Sequence, residues 1–185
     1  MWTRHQIIGR SVFETERLSL EPLVESHAGE LFELYSDPRM YEFVPQEPPE
    51  SLVALESRFR FLAARQSPKG DEGWFNWAVR AKSNGTCIGC IQVTLRNDSR
   101  AQLAYDIGAP YWRQGFASEA SARIITALFE VGVIEVWAEL DTRNVASIHL
   151  LERLGFSRGA LRPNADYFKG SSSDEWTYSL ANSRA

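Results

Sequence analysis

The hydrophobic period of this chain changes partway along, and that change restricts the folds open to it. Phe75 to Arg80 (FNWAVR), Cys87 to Leu95 and Ala101 to Ile107 (AQLAYDI) read as strands joined by the turn sequences Ser83-Asn84-Gly85 and Asn97-Asp98-Ser99, an antiparallel meander. Ser118 to Val131 (SEASARIITALFEV) instead places Ala120, Ile124, Ala127 or Leu128, and Val131 on one helical face. Glu119 falls in the first turn of that helix, where a carboxylate suits the dipole. Val133 to Leu140 (VIEVWAEL) is again a β-branched apolar run and hence a strand. Strand, helix, strand in succession implies parallel neighbours. The sheet is therefore mixed, with one parallel crossover in a mostly antiparallel order.

The flanks extend the pattern. Glu16 to Leu23 (ERLSLEPL) reads as a strand stopping at Pro22. A helix follows, with Ser26 able to cap it, Leu31, Leu34 and Tyr35 at helical spacing, and Asp37-Pro38 ending it. Beyond the break Pro45 to Pro49, Ser51 or its neighbour starts a second helix with Leu52, Leu55, Phe59 and Leu62 or Ala63 on one face. After Leu140, a helix spans Asn144 to Leu154, with Asn144 as cap and Gly155 at the left-handed stop position. Phe156 to Leu161 and Glu175 to Leu180 are two last strands, with Gly170 to Ser173 a polar turn. The order β-α-α-β-β-β-α-β-α-β-β describes one α+β domain over 1–185.

Composition bounds the function classes. At 185 residues, 44% hydrophobic and 24% charged, the chain is globular rather than disordered or disulfide-built. No apolar run reaches the ~18 to 20 residues that cross a bilayer, and Met1 to Gly9 lacks the apolar core and cleavage site of a signal peptide. A cytoplasmic protein without membrane attachment is expected. A net charge of −4 gives no support to nucleic-acid binding through phosphate neutralisation. The charge is uneven: Glu14 to Glu56 holds eleven acids against Arg17 and Arg39. If this segment forms one wall of a cleft, its field favours a cationic ligand.

Cys87 and Cys90 form a C-x-x-C on a strand, where residues three apart are expected to point to opposite faces. A zinc site also wants two further ligands, and His5, His27 and His149 are scattered singly. We expect no metal site and two small apolar side chains.

The meander's last strand runs through Gly108-Ala109-Pro110 into Tyr111-Trp112-Arg113-Gln114-Gly115-Phe116-Ala117-Ser118, where the helix opens. A Gly and a small Ala at the mouth of a helix can turn main-chain N–H groups outward at its positive end, which suits phosphate oxygens. Neither G-x-x-x-x-G-K-[ST] nor G-x-G-x-x-G is present, so Walker and dinucleotide-binding readings lack their motif. A second run, Asn144-Val145-Ala146-Ser147 continuing through Arg153 to Gly155-Phe156, follows the next strand.

Together WRQGFASEA and NVASIHLLERLGF resemble the GCN5-related N-acetyltransferase (GNAT) superfamily, and especially its branch of ribosomal-protein N-terminal alanine acetyltransferases. TERLSLEPL, DPRMYEFVP and AQLAYDIGAPYW resemble that branch in order and spacing, so the similarity covers about Thr15 to Leu180.

The resemblance implies a sheet splayed between its fourth and fifth strands, Ala101 to Ile107 and Val133 to Leu140, with helices on both faces. Acetyl-CoA would be the cosubstrate. Its pyrophosphate would meet the loop Arg113 to Ser118, chiefly the main-chain N–H groups of Gln114, Gly115, Phe116 and Ala117. Its pantetheine arm would pair in the splay with backbone near Asp106 and Ile107 and contact Asn144, with Arg153 near the phosphates or serving its own helix end. The matching position for a tyrosine many relatives use on the leaving thiolate is Leu151, and Ser147 occupies the acid or thiol-orienting position of the resembled branch. Asp106, Glu139 or a relaying water would take the amine proton; Gln102 stands where relatives often have Glu.

The implied reaction is acetyl transfer to a primary amine, a protein N-terminus or a small molecule, by direct attack in a ternary complex. The acidic segment would favour a cationic acceptor. A non-catalytic acyl-CoA-binding or regulatory module of the same fold is the alternative that Leu151 and Gln102 suggest. Monomer and homodimer both stay open.

Overall fold

The computed structural model describes residues 7–183; residues 1–6, which include His5 and most of the stretch Met1 to Gly9 considered above, and residues 184–185 lie outside the described residues. The strands are β1 (Phe13–Glu14), β2 (Leu18–Pro22), β3 (Glu72–Ala81), β4 (Cys87–Arg96), β5 (Arg100–Ile107), β6 (Glu135–Asp141), β7 (Ser157–Phe168) and β8 (Ser171–Ala181). They form one sheet in the order β1-β2-β3-β4-β5-β6-β8-β7. Four helices matter for the site: α1 (His27–Tyr35), α2 (Leu52–Leu62), α3 (Phe116–Glu130) and α4 (Val145–Arg153). Every neighbouring pair of strands is antiparallel except β5 and β6, the crossover that the change of period requires.

Helices cover both faces. On one, Leu31 and Tyr35 of α1 and Leu55 and Phe59 of α2 pack on Leu23, Ala78, Cys87 and Cys90. On the other, Ala120, Ile124 and Leu128 of α3 and Ile148 and Leu151 of α4 pack on Leu18, Trp77, Ile91, Leu103, Val136 and Tyr178. Ser51 and Asn144 cap α2 and α4 through bonds from the N–H groups of Ala54 and Ser147, each 3.1 Å. Ser26 precedes α1, but its hydroxyl makes no cap bond; the Val24 N–H donates to His27 Nδ1 instead. Among the described residues no helix is long and apolar enough to cross a membrane.

Three features differ from the sequence reading. A short β1 pairs with β2 ahead of the expected first strand. The last hairpin extends to Phe168 and Ser171, and most of β7 is exposed, so it carries no alternation to read. The two cysteines share one face: Val79 stands opposite Gly89 but Arg80 opposite Cys87. Ile88 is thus the extra residue of a bulge that restarts the alternation. Both thiols are free and buried, and burial pushes that of Cys87 up to about 11.

The sheet opens where the crossover returns. β5 and β6 pair only at Arg100 with Glu135, Ala101 with Val136 and Gln102 with Trp137. Beyond Gln102, β5 stays on β4 as far as Ile107, and β6 stays on β8 as far as Asp141. A V-shaped gap separates them. It is the expected splay, lying between the fifth and sixth strands once β1 is counted.

Candidate active site

The closed end of this gap is set by strand pairing, and its open end by the loop leading into α3. The Gly108 N–H donates to the Ile88 carbonyl at 2.8 Å. By antiparallel alternation, the main chains of Ala104 and Asp106 then face β4, and those of Tyr105 and Ile107 face the gap. The Ile107 carbonyl is taken by Trp112 Nε1 at 2.5 Å, which leaves the N–H groups of Tyr105 and Ile107 open to the gap. The main-chain groups expected near Asp106 and Ile107 are therefore those of Tyr105 and Ile107.

After a 3-10 turn, Ala109–Tyr111, Arg113 (φ 61°) and Gly115 (φ 81°) are both left-handed. This twist turns successive N–H groups to one side before the first turn of α3, whose own N–H groups have no acceptor within the helix. Among the described residues no protein acceptor takes the N–H of Gln114 or Gly115. Ser118 follows in the first turn of α3, half-buried. Arg113 and Arg153 are exposed, and neither has a hydrogen-bond or ion-pair partner among the described residues. Arg153 ends α4, where it also suits the dipole. An outward nest of amides flanked by an unpaired guanidinium fits a diphosphate.

One residue holding this loop is invisible to local sequence reading. Arg17 donates through Nη1 to the Gln114 carbonyl at 2.9 Å and through Nε to Glu119 Oε2 at 2.6 Å, and its guanidinium lies 4.5 Å from the Phe116 ring centre. Glu119 also accepts from Thr15 Oγ1 at 2.5 Å and from the Arg17 N–H at 2.9 Å. Burial alone would raise the Glu119 carboxyl, but these hydrogen bonds from Thr15 and Arg17 outweigh it and bring it below its usual range. Thr15, Arg17 and Glu119 stood in the motifs; only the fold brings them together.

Candidate acid and base groups lie on opposite faces of β5. Asp106 lines a cavity of about 190 Å³ with Tyr35, Tyr41, Arg58, Asn76, Gln92 and Ala104. Its carboxylate accepts from Gln92 Nε2 at 2.5 Å. Burial raises its pKa, against the lowering effects of the Arg58 charge and the Gln92 bond. Glu139 accepts from Gln102 Nε2 at 3.0 Å and pairs with Arg162 at 3.4 Å, so no direct bond joins it to Asp106. On the α4 side, half-buried Ser147 meets the phenol of Tyr105. Burial pushes that phenol up to about 12, opposed by the hydrogen bond with Ser147. Asn144 Oδ1 is committed to its cap bond, and Leu151 is fully buried in the core. Tyr105 is thus a hydroxyl that sequence reading missed; its strand parity opposite Asp106 was the available signal.

The acidic segment does wall the cavity, through Leu23, Tyr35, Met40, Tyr41, Val44 and Gln46. None of these is charged. Its carboxylates are instead largely taken up internally: Glu14 by Lys82, Glu21 and Glu30 by Arg80, Glu25 by Arg60, Asp37 by Arg39 and Glu47 by Lys169. The charged groups lining the cavity are Asp106 and Arg58.

Comparison with known proteins bears on this geometry. The model of the acetyltransferase (GNAT) domain matches residues 17–157. The chain belongs to the GNAT acetyltransferases. It is an acetyl-CoA-dependent acyltransferase. The N-acetyltransferase YoaA of Bacillus subtilis (strain 168) is 27% identical over 177 residues, covering 94% of this chain and 98% of its own. The ribosomal protein bS18-alanine N-acetyltransferase of Escherichia coli (strain K12) is 29% identical over 93 residues, covering 50% and 62%. A ribosomal L7/L12 α-N-protein acetyltransferase, RimL, solved in complex with coenzyme A, shares the fold at TM-score 0.83 and 16% identity, covering 92% of this chain and 98% of its own. Among the described residues, no group of three His, Cys, Asp or Glu side chains is placed to hold a metal ion.

Proposed function

We propose that this GNAT enzyme acetylates a primary amine bound in the Asp106 cavity, with acetyl-CoA lying in the gap between β5 and β6. The observation that carries this reading is the double use of β5. Its Tyr105 and Ile107 main chain borders the gap, while Ala104 and Asp106 line the cavity. Only one strand separates the donor's place from the acceptor's. The names of the relatives that act on ribosomal-protein alanine support a peptide N-terminus as one acceptor.

Acetyl-CoA supplies an acyl group activated as a thioester. The amides of Gln114, Gly115, Phe116 and Ala117, with Arg113 and Arg153, hold its diphosphate, and Asn144 Nδ2 and the N–H groups of Tyr105 and Ile107 hold the arm and polarise the carbonyl. Asp106 takes the proton that an ammonium must lose before it can attack; its raised pKa brings it closer to that task. Glu139, already tied to Gln102 and Arg162, serves as the alternative base through water. The Tyr105 and Ser147 hydroxyls stand on the other face to protonate the departing thiolate. One C–S bond is exchanged for one C–N bond; the ammonium's first proton passes through Asp106 to solvent, and the second, lost by nitrogen as the amide forms, balances the one gained by sulfur.

Release of free thiol from acetyl-CoA across a panel of amines tests the reading. Amine-dependent release, with acetylated product by mass, is expected; tight acetyl-CoA binding with no turnover on any amine would instead describe a binding module.

A further inference from the structure

We infer that the acceptor carries a carboxylate close to its amine, and that Arg58 binds this carboxylate while the amine sits at Asp106. This rests on the reading above of the cavity as the acceptor site.

Arg58 projects from α2 and lines two adjoining cavities, the one at Asp106 and a larger one of about 340 Å³. Arginines elsewhere around this face are satisfied by carboxylates: Arg39 by Asp37, Arg60 by Glu25, Arg80 by Glu21 and Glu30, and Arg162 by Glu139 and Glu175. Arg58 has no hydrogen-bond or ion-pair partner among the described residues. Asp106 faces the same cavity and likewise forms no ion pair, its hydrogen bond coming from the neutral Gln92. Two opposite charges thus look into one small space without meeting, each held on a different element. A buried carboxylate with no directly bonded cation is costly, even with the Arg58 charge acting on it from across the cavity, and a guanidinium fork is the side chain that best matches a carboxylate. A ligand with the reverse polarity, ammonium toward Asp106 and carboxylate toward Arg58, answers both.

A third polar group on the same wall is the buried Tyr35 hydroxyl. The Cys90 thiol, a weak partner, lies beside it, and with no stronger hydrogen bond in place the hydroxyl keeps capacity for a ligand atom. The remaining lining mixes apolar side chains with the amides of Gln46, Asn76 and Gln92, and the larger cavity, rimmed by the edge-to-face pair Phe61 and Trp74, leaves room for the rest of the acceptor. The carboxylate can come from the α-carboxyl group of a free amino acid or from an acidic residue following a peptide N-terminus.

The test measures thiol release from acetyl-CoA with matched pairs: each standard amino acid beside its amide, and Ala-Asp-Ala-amide beside Ala-Asn-Ala-amide. The carboxylate-bearing member of at least one pair should show a kcat/KM at least tenfold higher, and the pair that shows it identifies the source. R58Q should bring that ratio to near one through a loss on the carboxylate-bearing member, with the KM for acetyl-CoA unmoved, and R58K should restore part of it. Calorimetric titration of the preferred acid into CoA-saturated protein should show the same loss of binding. Arg58 is exposed and unpartnered, so an unchanged melting temperature would verify that the variant is folded. Equal rates on acids and their neutral partners, or an equal loss on both in R58Q, would overturn the assignment of Arg58. No turnover on any amine would overturn the transferase reading beneath it.

Discussion

Asp106, the proposed base, pairs a cost in stability with the chemistry assigned to it. Burial raises its pKa in the folded protein, so the native state binds more protons than the unfolded chain between the ordinary aspartate value and the raised one. Stability therefore falls as pH rises through that window, and at neutral pH the ionised group is a burden on the fold. Asp106→Asn should raise the melting temperature at pH 7, with the gain fading below about pH 4, while lowering kcat by ~100-fold as expected for loss of a general base. Thermal melts at two pH values and steady-state kinetics check both; a fall in stability at pH 7 would show that the carboxylate is satisfied. Tyr105→Phe and Ser147→Ala each remove one hydroxyl and keep the strand and the Asn144 cap bond, which uses the Ser147 main chain. Each should reduce kcat about tenfold or more with little change in the KM for acetyl-CoA. Equal effects on binding and turnover would remove the pair from the proton path. Ser147 could be named as a candidate from the resemblance alone, by its place three residues after Asn144. Tyr105 could not, because its meaning comes from strand parity and a helix forty residues on.

At the scale of elements, the loop before α3 depends on the turn between β1 and β2. Arg17 and Glu119 are 43% and 19% exposed, and a partly exposed pair of this kind contributes about 0–1 kcal/mol to stability. The same guanidinium holds the Gln114 carbonyl, on the turn whose neighbouring amides are proposed to meet the diphosphate. Arg17→Ala should therefore lower the melting temperature only slightly, yet raise the KM for acetyl-CoA several-fold with kcat at saturation retained. A double variant with Glu119→Gln should add little to that effect, since both substitutions open one clamp. Additive losses would mean that the two residues act separately. The elements themselves were largely readable: α3 buries Ala120, Ile124, Ala127 and Leu128, the face its spacing marked. The exceptions have local causes. β7 is solvated along most of its length, so its polar residues carry no period. The bulge at Ile88 defeats strict alternation for Cys87 and Cys90, since a single extra residue reverses every side chain beyond it.

For the whole molecule, the proposed function depends on a sheet that is held closed at one end and open at the other. Gln102 is the last residue of β5 paired to β6, yet each strand keeps its other neighbour, so the gap costs backbone pairing on one edge only. The resemblance gave this opening, and the strand pairing locates it; no local pattern distinguishes a paired edge from an open one. The alternation along β5 makes a residue-by-residue expectation. Amide hydrogens of Ala104 and Asp106, bonded toward β4, should exchange slowly, and those of Tyr105 and Ile107, facing the gap, quickly. Addition of CoA should slow Tyr105 and Ile107, together with the amides from Gln114 to Ala117, while leaving Ala104 and Asp106 as they were. Exchange followed by NMR over minutes to hours resolves these positions. Uniform protection along β5 without ligand would mean that the gap is closed in solution. Fast exchange at Tyr105 and Ile107 that CoA at saturation leaves unchanged would place the pantetheine arm elsewhere, and the wall shared by donor and acceptor would lose its meaning.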